Sequence, residues 1–190
     1  MVQTPFAGLV AAFVAERYAH DPVAATIAGW HEHDGRLPDL SAEGWAAREE
    51  ASARRLADFG SLDDAALSPT ERIDRELILA TLRGERALRP FARWRRQPSL
   101  YSDAVTRGAY YSLIREEVPL AERLERLALR LAEAPRALAA ARANLEPALV
   151  PPEWVAIAAE TARSGARLLR AEVAPLAAGV SGAAAALAGT

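Results

Sequence analysis

The 190-residue sequence contains no cysteine, which excludes disulfides, thiolate metal sites and a cysteine nucleophile. It contains no lysine either. All 23 basic residues are arginine, so every cationic role on the surface falls to a guanidinium, and with the abundance of alanine this points to a GC-rich coding sequence. A net charge of -2 supplies no overall field to draw in nucleic acid or an anionic membrane, and neither is expected as a partner. Alternating apolar and polar runs are almost absent and β-branched residues are sparse, which argues against strands. The apolar run Phe6 to Ala15 is too short to span a bilayer and lacks the basic flank of a signal peptide. Cytoplasm is the default location on that basis. The length suits one domain with a real core.

Helical punctuation, by contrast, is dense, and the fold class it predicts is all-α, a single-domain bundle of about seven to eight helices. Thr4-Pro5 caps and starts a first helix that runs to about Ala19. His20-Asp21-Pro22 breaks it, and a shorter segment follows to Gly29. Ser41 is an N-cap, with Leu40 before it and Trp45 placed as a hydrophobic staple, and this helix should end at Phe59-Gly60. Ser68-Pro69-Thr70-Glu71 reads as a capping box opening a helix with Ile73, Leu77, Ala80, Gly84 and Leu88 on one stripe, ended or kinked by Pro90. A helix around Asp103 to Glu117 carries Val105, Tyr110, Leu113 and Ile114. Pro119 opens the most periodic helix, with Leu120, Leu124, Leu127 and Leu131 on one face and Arg or Glu elsewhere. Pro135 and Pro147 bracket another helix. The last one starts at Pro151-Pro152-Glu153, carries Trp154, Ile157, Thr161, Gly165 and Leu168, and should stop at Pro175. Residues 1–178 form the helical domain in this reading, and 179–190 a low-complexity Ala/Gly tail.

Chemistry-bearing clusters are few. His31-Glu32-His33-Asp34-Gly35 is not a zinc-peptidase helix: that motif needs histidines at i and i+4 on one helix face, whereas here they are two apart and Gly35 holds the ligand position. Asp34-Gly35 and Pro38 are turn chemistry, so the stretch reads as a capped loop. Residues 83–96 mix six arginines with Phe91 and Trp94, a pattern of the sort that binds phosphates or stacked bases, but in a chain without lysine it reads first as a solvated face over packed aromatics. The carboxylate pairs Glu49-Glu50, Asp63-Asp64 and Glu116-Glu117 diverge on a helix and are usually solvated. Tyr101 and the pair Tyr110-Tyr111 either line a cleft or fill helix interfaces.

In order along the chain, GWHEHDGRLPDLS at 29–41, LSPTERIDRELI at 67–78, RPFARWRRQPSLY at 89–101 and PLAERLERLALRLAEAPRALAAARANL at 119–145 resemble the N-terminal part of a bacterial family called domain of unknown function 885. The likeness covers about Phe6 to Val173. Its most specific pieces are Asp34 to Ser41, Glu71-Arg72-Ile73-Asp74, and Pro98-x-x-Tyr101. The resemblance implies helical metallopeptidases of the gluzincin type, much longer than this chain, with a zinc-binding histidine helix in the C-terminal half. No histidine follows His33, so none of the family's zinc ligands carries over.

No catalytic, cofactor or metal residue is therefore expected within this chain, and zinc is expected only in a C-terminal half outside it. The expectation is an N-terminal helical domain, or a truncated form, that walls a peptide cleft and is inactive alone. Its possible cleft or ligand contacts are His31, Asp34, Arg36 and Tyr101, and the planar fork of Arg36 suits a peptide carboxylate. A peptide is the substrate class implied for the whole protein. The alternative is a stand-alone helical binding module. A domain cut from a larger one should expose an apolar face, through which a homodimer is possible.

Overall fold

The structure, a computed structural model, describes residues 4–180 and Leu187. Among these residues there are only helices and turns: α1 (Pro5–His20), α2 (Pro22–Ile27), α3 (Ala42–Gly60), α4 (Pro69–Leu88), α5 (Arg93–Arg96), α6 (Ser99–Ile114), α7 (Leu120–Ala132), α8 (Ala134–Asn144), α9 (Pro152–Leu168) and α10 (Ala174–Ala178). The all-α class expected from the punctuation is the observed one. Of the expected tail, only Gly179, Val180 and Leu187 fall within the described residues.

The caps act where the sequence places them. Thr4 Oγ1 accepts the amide of Ala7 at 3.1 Å, Asp21 caps α2 through Ala24, and Ser41 caps α3 through Gly44. At α4 both halves of the capping box form: Glu71 donates its amide to Ser68 Oγ, and its carboxylate accepts the Ser68 amide. Caps of this kind are worth about 1 kcal/mol each, so they set where helices begin more than how stable the whole is.

Stability comes from three apolar clusters. α1, α3 and α4 close around Phe6, Phe59, Leu67, Leu79 and Leu82, with the rings of Phe6 and Phe13 set edge-on to Phe59 at 6.1 and 5.7 Å. Each buried phenylalanine or leucine contributes about 1.5–3 kcal/mol. A second cluster joins Ala109 of α6 to Leu124 and Leu127 of α7 and to Val173 and Ala177, with Val180 and Leu187 packed against it. The third, around Val23, Leu37, Leu40, Tyr101 and Ala137, ties the segment between α2 and α3 to the C-terminal helices. α6 touches α2, α7, α8 and α9, and besides Ser99 and Tyr101 near its start it buries Gly108, Ala109 and Ser112, small side chains that let neighbouring helices approach closely.

Three features differ from the sequence reading. The stripe Ile73, Leu77, Ala80, Gly84 and Leu88 faces outward, with Ile73, Leu77 and Leu88 at 70, 68 and 71 % exposure, while Ile78, Leu79 and Leu82 fill the core. α4 thus carries two apolar stripes, and periodicity alone does not say which one is covered. Ile157 of α9 is likewise exposed, and Gly165 meets α6 in its place, where a Cβ would come within 2.4 Å of Thr106 Oγ1. Pro175 does not end the last helix. A π-helical turn, Leu169–Val173, precedes α10, and its wider winding carries the chain past a residue that has no amide hydrogen to donate.

Gly44 sits in the first turn of α3, where its missing Cβ would lie 2.5 Å from the carbonyl oxygen of Asp39. Helix propensity alone predicts that Gly44→Ala gains about 1 kcal/mol. The backbone contact predicts the opposite sign, a net loss of about 1–3 kcal/mol, readable as a lower urea midpoint at unchanged slope.

Candidate functional site

The segment 29–41 leaves α2 through Gly29, whose φ of 79° is available to glycine at little cost. Arg115, at the end of α6, closes the C-terminus of α2 by donating Nε to the carbonyl of Thr26 at 3.1 Å and Nη2 to that of Ile27 at 2.7 Å. A 3₁₀ turn follows at His31–His33, and the chain then runs past Asp34 and Gly35 into Leu37 and Leu40, both buried in the third cluster. Gly35 is held against α7, where a Cβ would meet Leu129 Cβ at 3.3 Å.

Arg130 of α7 holds this segment in place, and its side chain is fully buried. Its Nε donates to the carbonyl of Arg36 at 3.0 Å, Nη1 to the Gly108 carbonyl and Ser112 Oγ at 2.9 and 3.0 Å, and Nη2 to Thr26 Oγ1 and the His33 carbonyl at 2.7 and 3.4 Å. Five donors thus meet five acceptors, which is what a buried guanidinium requires. Gly108 makes room for it: a Cβ there would lie 3.0 Å from Arg130 Cδ. Burial pulls the guanidinium pKa down to about 10, against the opposing pull of Asp34, Glu133 and Asp21, so the group stays charged at neutral pH.

The counter-charge is Asp34, whose Oδ1 lies 4.0 Å from Arg130 Nη2 and accepts from the bridging Thr26 hydroxyl at 2.6 Å. Its Oδ2 binds His31 Nδ1 at 2.7 Å and accepts from Arg126 Nη1 at 3.0 Å. Burial alone raises the carboxyl pKa, but the hydrogen bonds from Thr26, His31 and Arg126 outweigh it and hold Asp34 below the usual carboxylate range. His31 Nε2 is buried, forms no hydrogen bond and lies 3.8 Å from Glu117 Oε1. Glu133 accepts the Leu37 amide at 2.7 Å, and Arg136 bridges Glu133 to Asp39.

Of the four residues proposed from the sequence, His31 and Asp34 are bonded to each other, and Asp34 is buried. Arg36 lends its carbonyl to Arg130 and exposes its side chain, beside a shallow groove of about 510 Å³ that His31, Arg126 and Glu133 also line. Tyr101 lies apart from them. It is 1 % exposed, donates its hydroxyl to the Trp94 carbonyl at 2.7 Å, and accepts from Asn144, which also holds the Leu40 carbonyl. Among the described residues no three His, Asp or Glu side chains are grouped as metal ligands. Arg130 escaped the sequence reading because it falls among the charged positions of α7. The available signal was its place between Leu127 and Leu131, opposite the small pair Gly108 and Ser112 on α6.

In the arginine-rich stretch 83–96, Arg83 pairs with Glu76, Arg89 with Glu49 and Arg95 with Glu146. Arg96 stacks 5.1 Å from the Phe91 ring centre, and Phe91 meets Trp154 edge-on at 6.5 Å.

Residues 22–189 match the family described as bacterial protein of unknown function, DUF885. The chain belongs to that family. The DUF885 chain also superposes on a solved structure of a candidate lipoprotein of unknown function from Shewanella oneidensis, with a TM-score of 0.87 and 23 % identity, over 98 % of this chain and 34 % of that one. At that identity the likeness is one of fold, and the chain spans about a third of the longer protein's length. No protein of curated function matches it.

Two outcomes follow for the DUF885 segment. Arg130→Met leaves the buried carbonyls of Arg36, Gly108 and His33 and the Thr26 and Ser112 hydroxyls without their donor, and should cost about 3–5 kcal/mol in urea unfolding. The folded pKa of Asp34 lies below its unfolded value, so its stabilisation is present above about pH 4 and is lost as pH falls through the folded value. Asp34→Asn should flatten that acid limb when the urea midpoint is followed from about pH 5 to pH 2.

Proposed function

We propose that this DUF885 chain is an N-terminal helical scaffold that walls the substrate cleft of a longer, peptidase-like protein and performs no catalysis alone. The observation that carries this reading is one of extent. Nearly the whole chain matches a third of a longer solved chain, and α4 leaves an apolar stripe at Ile73, Leu77 and Leu88 uncovered. An exposed stripe of that kind is the face on which a further part of the polypeptide, or a second copy, packs.

The peptidase activity and its zinc come from the resemblance to gluzincins. The residues of this chain do not fit a zinc site, since its described His, Asp and Glu side chains form no group of three, and no chemical step is assigned to them. The groove beside His31 and Arg36 is the cleft edge in this reading, with Arg36 free to meet a peptide carboxylate. No described helix is long and apolar enough to cross a membrane. The Shewanella protein is described as a candidate lipoprotein, so the cytoplasmic expectation draws no support from it.

The test joins size and activity. An antibody against this chain should capture from its host a polypeptide well above 20.4 kDa that hydrolyses peptides and is silenced by a chelator. The 190-residue chain should be inactive in the same assay. Chelator-sensitive hydrolysis by the short chain, or inactivity of the captured long one, contradicts the reading.

A further inference from the structure

A cleft of about 740 Å³ opens between α1, α3 and α4 and shares no lining residue with the groove at His31. Its volume is that of a small-molecule site. Phe13, Tyr18, Trp45, Leu56, Leu82 and Trp94 supply apolar wall. Six arginines and four carboxylates also line it, in a chain whose net charge is -2.

Most of those charges are already satisfied. Arg17 pairs with Glu85 at 2.7 Å, Arg55 with Glu16 at 2.7 Å, and Arg89 with Glu49. Asp21 is committed as the cap of α2, accepting the Ala24 amide at 3.0 Å. Arg93 bonds the side-chain oxygen of Gln97. Arg48 and Arg86 have no carboxylate partner among the described residues.

Arg48 is the more telling of the two. It is half-buried, its guanidinium stacks 4.8 Å from the Trp45 ring centre, and one nitrogen donates to the His20 carbonyl at 2.6 Å. Burial pushes its pKa down by more than Asp21 and Asp39 push it up. Asp21 and Asp39 offset the desolvation of this guanidinium only in part, and neither forms an ion pair with it, so it has donors left for an anion. Stacking on Trp45 fixes the plane of the fork, and a fixed planar fork selects a planar carboxylate.

We infer that this cleft binds a small organic carboxylate with an apolar body. The carboxylate sits on Arg48, with Arg86 at the rim, and the body lies against Trp45, Tyr18 and Phe13. The four acidic side chains of the lining weigh against a multiply charged ligand. Two sources share this chemistry, the C-terminus of a peptide and a free fatty acid. The inference is independent of the peptidase reading, since it concerns a different cavity and needs no catalysis.

Isothermal titration of the 190-residue chain with N-acetyl-phenylalanine and with octanoate tests it, and the tighter acid names the source. At least one acid should saturate, and its neutral amide should bind about tenfold more weakly or worse. Arg48→Gln should weaken the acid by about tenfold and Arg86→Glu by about threefold or more, each with an unchanged circular dichroism spectrum. Should Arg48→Gln fail to fold, Arg86→Glu and the amide comparison decide, because Arg86 is exposed and its side chain bonds none of the described residues. Neither acid saturating below about 10 mM, or acid and amide binding alike, overturns the inference. So does acid binding indifferent to the folded variants.

Discussion

The burial of one positive charge organises the C-terminal part of this molecule. Arg130 lies where three pieces of chain meet: α6, the end of α2, and the turn at His31–His33. Taking a guanidinium out of water costs several kcal/mol unless every donor is used and a counter-charge is near. Both conditions are met here by main-chain carbonyls, two hydroxyls and Asp34. The cost therefore works as a specification. Any other path for residues 29–41 leaves a buried cation with carbonyls missing, so the loop has one place to go.

That placement explains the small residues around it. Gly108 cannot carry a Cβ without crowding Arg130, and Gly35 sits against Leu129. With the segment fixed, Leu37 and Leu40 join Val23, Tyr101 and Ala137 in one cluster, and Ser41 is set to cap α3. The N-terminal helices α1, α3 and α4 have their own aromatic cluster around Phe59. The charged groove at His31 is in this sense a by-product of a structural clasp. Asp34 and Tyr101 stabilise the clasp from within, while the Arg36 side chain remains free on its surface.

The helices were largely legible because their signals are local. Thr4-Pro5, Ser41 and the Ser68 to Glu71 box act through hydrogen bonds within one turn, and each began a helix where it stood. Cover was less legible. The Ile73 to Leu88 stripe and the Leu79 to Leu82 stripe look alike in periodicity, and only the partner helices α1 and α3 decide between them. The role of Arg130 was illegible for a related reason. A charged residue on an amphipathic helix is ordinarily solvated, and its burial depends on residues about 90 or more positions away, such as Arg36 and Thr26. Pro175 misled because a π turn absorbs it. The sequence likeness pointed to the right family; the fold shows how the histidines of 29–41 are used, with His31 orienting Asp34 and His33 lending its carbonyl.

The central claim is that Arg130 holds residues 29–41, and amide hydrogen exchange read by mass spectrometry on folded Arg130→Met tests it most directly. Protection should be lost in peptides spanning Gly29 to Leu40, where Trp30, Arg36 and Leu37 amides are bonded, while α4 peptides keep theirs. Unchanged protection across 29–40, or an equal loss in α4, would contradict the account.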